Sequence, residues 1–262
     1  MIALALVVYC YLVLQMALVW LLYLRYKNTS IVDMFWSLGL LVAGVVYLSN
    51  GVLLTRSLIV GLLLGCWALR LSGYIWLTRV KRHSQDRRYE EISAQWKLSK
   101  AMGYFFNYQF QGLLIWLIST VFMVIADQLT QFPSIYDVIA SVLVLSGIIG
   151  ESISDLQLLK FRSLYPGKVC NVGLWWYSRH PNYFFDWIVW VGFSTFSIGE
   201  INGCIGLIAP LLLYIIFNYV TGPITERVSI QTKGQAYIDY QRITPMFFPR
   251  FTNVTNLPSS QQ

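Results

Sequence analysis

The side chains best suited to chemistry gather in GLWWYSRHPNYFFDWIVWVGF, residues 173–193, where Arg179, His180, Asn182 and Tyr183 stand directly before an apolar run. His180 is one of only two histidines in 262 residues. A polar cluster at such a boundary can meet a water-soluble cofactor on one side and a lipid-dissolved substrate on the other. Pro181 suits the first turn of a helix, and the free amide hydrogens of that turn favour an anion beside Asn182. Arg179 and Asn171 are residue types that hydrogen-bond phosphate and ribose, and Tyr177 lies between them in sequence.

Two further pairs are spaced four residues apart, Arg70 with Tyr74 and Glu151 with Asp155, so each pair shares one helix face. Ionisable groups within apolar segments are costly and face a bundle interior or a watery cavity. Two carboxylates on one face repel unless a cation, a proton or hydrogen-bond donors intervene. Arg162, Lys168 and Arg179 are candidate partners. A structural ion network and a cavity for a polar ligand both satisfy this pattern. Near the C-terminus, Glu226, Arg227, Tyr237, Tyr240 and Thr244 are spaced as on an amphipathic cytoplasmic helix ending at Pro245–Pro249. Such a helix either covers the mouth of a bundle and clamps a nucleotide, or anchors on the surface. His83, in KRHSQDRR, reads as part of a solvated loop.

Absences narrow the chemistry. Two histidines are too few for the His-rich metal sites of membrane desaturases or for paired haem ligands. A Walker loop, GxGxxG and HExxH are all missing, and the four cysteines lack CxxC spacing. Metal-free chemistry with a diffusible cofactor is left.

The elements that must position these residues are membrane helices. The chain is 56% hydrophobic and 12% charged, where soluble domains carry about a quarter charged residues. Runs of about 20 apolar residues predict seven spans, at 2–24, 31–49, 52–77, 109–126, 134–159, 183–199 and 204–221. Backbone groups in a bilayer need internal partners, so the expectation is an all-α polytopic bundle, one integral-membrane domain over 1–262. With those spans, of the 19 basic residues only Arg56 and Arg70 fall off one side. The positive-inside rule then sets the N-terminus outside and the C-terminus in the cytoplasm. It also accounts for the net charge of +7 without nucleic acid. The segment 79–100 suggests an amphipathic helix with Trp96 at the interface, and Gly61 with Gly65 suggests close helix packing.

Taken together, GLWWYSRHPNYF, the E-x-x-x-D of Glu151 and Asp155, VDMFW at the start of span 2, DRRY at 86–89 and the closing ER…Y-x-x-Y-x-x-x-T-x-x-F-x-P resemble a bacterial membrane family related to steroid 5-alpha-reductases, over about 31–251. The resemblance implies that NADPH docks from the cytoplasmic side and that its hydride goes to the beta-carbon of a lipophilic enone. It implies Asn182, Asp186 and Asp155 as cofactor contacts, with Glu151 where relatives carry a polar residue. Arg70 and Tyr74 resemble the family's arginine–tyrosine pair, making Tyr74 the acid that polarises the ketone. The Gln-Glu pair of the second helix is missing, and Asp33 is the nearest polar candidate there. RHPNY is also similar to isoprenylcysteine and phospholipid methyltransferases. In that alternative S-adenosylmethionine is the cofactor, His180 and Tyr183 touch it, and Glu226 shapes the substrate mouth. A non-enzymatic scaffold or transporter is the third possibility. All three place the chain among membrane lipids, and the first places it in a bacterial inner membrane.

Overall fold

Helix boundaries in the computed structural model follow local capping chemistry more closely than hydropathy. The structure describes residues 2–52, 54–83, 86–94, 96–198 and 203–250. Helices α1 (Ile2–Tyr26), α2 (Ile31–Ser49) and α3 (Leu54–Ile75) come first, and α3 runs on through a π-helical turn at Trp76–Val80. Then follow α4 (Arg87–Ser93), α5 (Lys100–Ala126), α6 (Ile135–Leu164), α7 (Leu174–Tyr177) and α8 (Pro181–Phe196). The last long helix comprises a 3-10 turn at Gly203–Leu207, α9 (Ile208–Ile215), a second π-helical turn at Ile216–Thr221 and α10 (Gly222–Lys233). A short α11 (Gln235–Ile243) closes the described chain.

The architecture is all-helical, and six of these helices are long and apolar enough to cross a membrane: α1, α2, α3 with its π turn, α5, α6 and the 203–233 helix. That is consistent with a multi-pass integral membrane protein. Leu58, Leu62 and Leu69 on α3, and Val138, Val142 and Leu145 on α6, lie exposed on the outside of the bundle. Water would penalise such a surface, and lipid accommodates it. The expected span at 183–199 is α8, which has 16 residues. At ~1.5 Å per residue it rises ~24 Å, short of a ~30 Å hydrocarbon core. Its Val189, Trp190 and Phe193 are buried in the protein instead.

The span expected at 109–126 begins nine residues earlier, because Ser99 caps α5 by accepting from the Met102 amide. Its polar residues lowered the hydropathy but do not face lipid. Gln109 donates to the Val13 carbonyl of α1, and Asn107 and Gln111 face inward. The amphipathic helix expected over 79–100 is not continuous. Asp86 caps a seven-residue α4, and Trp96 packs instead against Gly103 and Tyr104.

The tightest seam joins α6 to α8. A side chain at Gly147 would meet Val189 at 2.6 Å and the Phe185 carbonyl at 2.8 Å, and one at Gly192 would meet Val144 at 2.7 Å. Small residues let the two backbones approach, as at many membrane helix interfaces. The antiparallel register of these contacts sets Asp186 opposite Glu151 and Asn182 opposite Asp155. The Gly61–Gly65 pair does no comparable work, since a side chain at Gly65 would meet nothing within 4 Å.

Candidate functional site

Two ion clusters face one cavity. In the first, Arg70 of α3 reaches across to α6, donating from Nη1 to Asp155 Oδ2 at 2.8 Å and pairing through Nη2 with Glu151. The carboxylate pair therefore has its cation, supplied by Arg70 rather than by Arg162, Lys168 or Arg179. Arg162 and Lys168 are exposed. Asp186 accepts from Trp67 Nε1 at 2.9 Å, and Asn182 faces Asp155 across the seam. Glu151 and Asp155 thus share one guanidinium, with the Asp186 carboxyl nearby. Asn182 Oδ1, Glu151 Oε2 and Arg70 Nε are buried without hydrogen-bond partners among the described residues, unmet capacity that folded proteins rarely leave without cause.

The second cluster was not legible as a unit. Asp33 of α2 accepts from Arg79 at 3.1 Å, from Arg88 at 2.9 Å and from the Tyr89 hydroxyl at 2.6 Å. Arg79 and Arg88 also bind Asp86, each at 2.7 Å. Burial opposes the charge on Asp86, but Arg88 and Arg79 outweigh it and hold its carboxyl below the ordinary value. Burial, with Asp33 alongside, pushes the Tyr89 hydroxyl well up.

Between the clusters lies a cavity of about 490 Å³, within the ~300–1,000 Å³ typical of small-molecule sites. Asp33, Tyr74, Glu151, Asp155, Asn182, Tyr183 and Asp186 line it, as do Arg79, Arg88 and Tyr89. Asn107 and Gln111 of α5 add an amide pair. The opposite wall is apolar, from Leu212 and Ile216 to Val220 and Ile224. Both π-helical turns contribute to the lining, a placement common for such turns at functional sites. The Tyr74 hydroxyl donates to no partner among the described residues.

The remaining candidates stand outside the lining. Arg179 donates from Nε and Nη2 to Glu226, at 2.6 and 3.0 Å, and from Nη1 to the Gln241 and Thr244 carbonyls. Its backbone amide donates to the Pro245 carbonyl at 2.9 Å. The side chain expected to meet a phosphate thus ties loop to C-terminus. His180 is buried, with Nε2 3.4 Å from Glu226, and burial lowers its pKa. Its ring stacks on Tyr183, which stacks on Phe217, with centroids 5.0 and 4.9 Å apart.

The segment 165–180, which includes α7, folds back against α6. Gly173, at φ 59°, lets the Leu174 amide donate to Gln157 at 2.9 Å, and Trp175 Nε1 donates to the Ser154 carbonyl. The buried Tyr240 hydroxyl donates to the Trp175 carbonyl, and buried Tyr237 packs against Tyr240. These tyrosines fasten the loop and do not reach the cavity. Arg227 pairs with Glu91 on the surface, at 3.2 Å. Arg162 is exposed, while Asn171 and Tyr177 lie in the loop, outside the lining.

Among the described residues, no group of three or more His, Cys, Asp or Glu is arranged to hold a metal ion. Residues 19–244 match a family described as a protein of unknown function, DUF1295. No curated protein and no solved structure matches the chain.

Proposed function

We propose that this chain, which belongs to the DUF1295 family, is a membrane-embedded reductase that uses NADPH to reduce a double bond conjugated to a ketone in a lipophilic substrate. One observation carries the proposal: Tyr74, whose hydroxyl has no partner among the described residues, opens into the same cavity as Asn182, Asp155 and Asp186, opposite an apolar wall. The sequence resemblance to steroid 5-alpha-reductases points the same way. The unpartnered Asn182 Oδ1 and Glu151 Oε2 fit a ligand that donates hydrogen bonds, as the carboxamide of a nicotinamide does.

In this reading Asn182, Asp155, Asp186 and Glu151 hold NADPH, with Arg70 fixing the two α6 carboxylates. When bound, NADPH supplies the hydride. Tyr74 donates a hydrogen bond to the carbonyl oxygen and stabilises the charge that develops there, its side chain held by the α3 backbone. The apolar wall positions the substrate body and excludes water. Asp33 anchors Arg79 and Arg88 beside the cavity. Arg179, His180, Glu226, Tyr237 and Tyr240 support the loop that leads into α8, on whose first turn Asn182 sits. By the positive-inside rule the basic loops and this cofactor end face the cytoplasm, with the chain in a bacterial inner membrane.

A second reading rests on the same acidic cluster. Three carboxylates around one guanidinium also suit the sulfonium and ammonium groups of S-adenosylmethionine, in a lipid methyltransferase. The two readings separate in thermal unfolding of purified protein in detergent. NADPH well below millimolar should raise the midpoint and S-adenosylmethionine should not, since a ligand stabilises the state that it binds. The opposite pattern would transfer the proposal to methyl transfer.

A further inference from the structure

On α5, Asn107, Phe110, Gln111 and Leu114 follow an i, i+3, i+4, i+7 spacing, so one face of a membrane-length helix turns two amides and two apolar side chains toward the cavity. Gln111 Nε2 donates to Asn107 Oδ1 at 2.8 Å. That bond leaves Asn107 Nδ2 and Gln111 Oε1 without partners among the described residues. The pair therefore offers a free amide NH2 group and a free amide carbonyl, side by side and uncharged. Polar groups that face an apolar space are costly unless something bonds them.

The cavity is not closed at this point. Phe110 is 56% exposed, Ile215 50% and Val220 49%, yet all three also line it. Their exposed parts belong to the apolar outer surface of the bundle. The cavity thus opens sideways, between α5 and the 203–233 helix, toward where the lipid stands. A ligand on this route passes apolar side chains first and then meets the amide pair.

We propose that Asn107 and Gln111 select the substrate: they read a neutral carbonyl or hydroxyl on a lipid-dissolved molecule that enters between α5 and the 203–233 helix. A carboxylate or phosphate would find no cation on this face of α5, and the arginines that line the cavity, Arg79 and Arg88, are paired with Asp33 and Asp86. The inference deepens the proposed function, because it concerns the substrate of the same cavity, but it does not depend on hydride chemistry.

The test uses the full chain in lipid nanodiscs, without cofactor, and two bilayer-soluble diazirine probes of equal chain length, one a dialkyl ketone and the other the matching alkane. After illumination, mass spectrometry reads labelling of the peptides that carry residues 107–114 and 215–220. The ketone should label them about fivefold more than the alkane, the factor of one net hydrogen bond of about 1 kcal/mol. The variant Asn107→Leu/Gln111→Leu should bring the ratio to about one. Val220→Trp, on the bilayer side of the opening, should lower labelling by both probes and keeps the route testable if the double variant fails to fold. Equal labelling by the two probes in the unaltered protein, a ratio that survives the double variant, or labelling unaffected by Val220→Trp would overturn the proposal. Failure of NADPH to bind would overturn the reductase and leave this result intact.

Discussion

Tyr74 lies one helical turn beyond Arg70, whose guanidinium is engaged by Glu151 and Asp155, so in the proposed reaction Tyr74 donates and Arg70 supports. Replacing Tyr74 with Phe removes one donor aimed into the cavity. Turnover should fall by ~100- to 1,000-fold, with NADPH affinity nearly unchanged; full activity would remove Tyr74 from the role. Arg179 has the opposite character. With its donors committed to Glu226 and two carbonyls, Arg179→Ala should lower the unfolding midpoint and weaken NADPH and NADH to the same degree. A selective loss of NADPH would instead show that the side chain meets the ribose phosphate. Asp86 provides a pH signature. Its folded pKa lies below the unfolded one, so its ion pairs stabilise fully above the unfolded value, near pH 4, and lose that contribution as pH falls. Asp86→Asn should therefore lower the midpoint at neutral pH, and the gap from the unaltered protein should narrow progressively as pH falls below about 4. A gap that does not change with pH would contradict this.

Among the elements, the α6–α8 seam decides whether the acidic and amide side chains meet. Gly147→Leu should force the helices apart at a cost of ~1–3 kcal/mol, and it should also weaken cofactor binding by separating Asn182 and Asp186 from Glu151 and Asp155. Gly65→Ala, where space is open, should leave both properties within error. Equal effects of the two changes on unfolding and cofactor affinity would show that the seam does not set the site. Hydropathy located this seam only in part. It found α6 and α8, because both are apolar, and the four-residue spacing of Glu151 and Asp155 fixed their common face. It could not show that Arg70 rather than Arg162 meets them, because that pairing depends on how α3 packs. Nor did it separate polar residues facing a cavity from those facing water. A span begun at residue 109 therefore left Asn107 outside it and gave Gln111 no role, and Arg79 and Arg88 counted as topology signals. A shared helical face for the polar residues of one apolar helix was the available clue.

For the whole molecule, the bundle was legible because a bilayer leaves so few ways to satisfy a backbone, and the motif residues converge because α3, α6 and α8 bring their polar ends together. The division of labour was less legible. Half of the polar knot at 177–183 fastens the C-terminal segment, and only Asn182 and Tyr183 reach the cavity. The central claim is that this cavity holds NADPH on Asn182 and the α6 carboxylates. Direct calorimetric titration of NADPH into purified, folded protein, beside the variant Asn182→Ala/Asp155→Asn, tests it most closely. A dissociation constant well below millimolar that weakens at least tenfold in the folded variant, about 1.4 kcal/mol, is the expected result. No binding to the folded unaltered protein, or equal affinity in the variant, would contradict it.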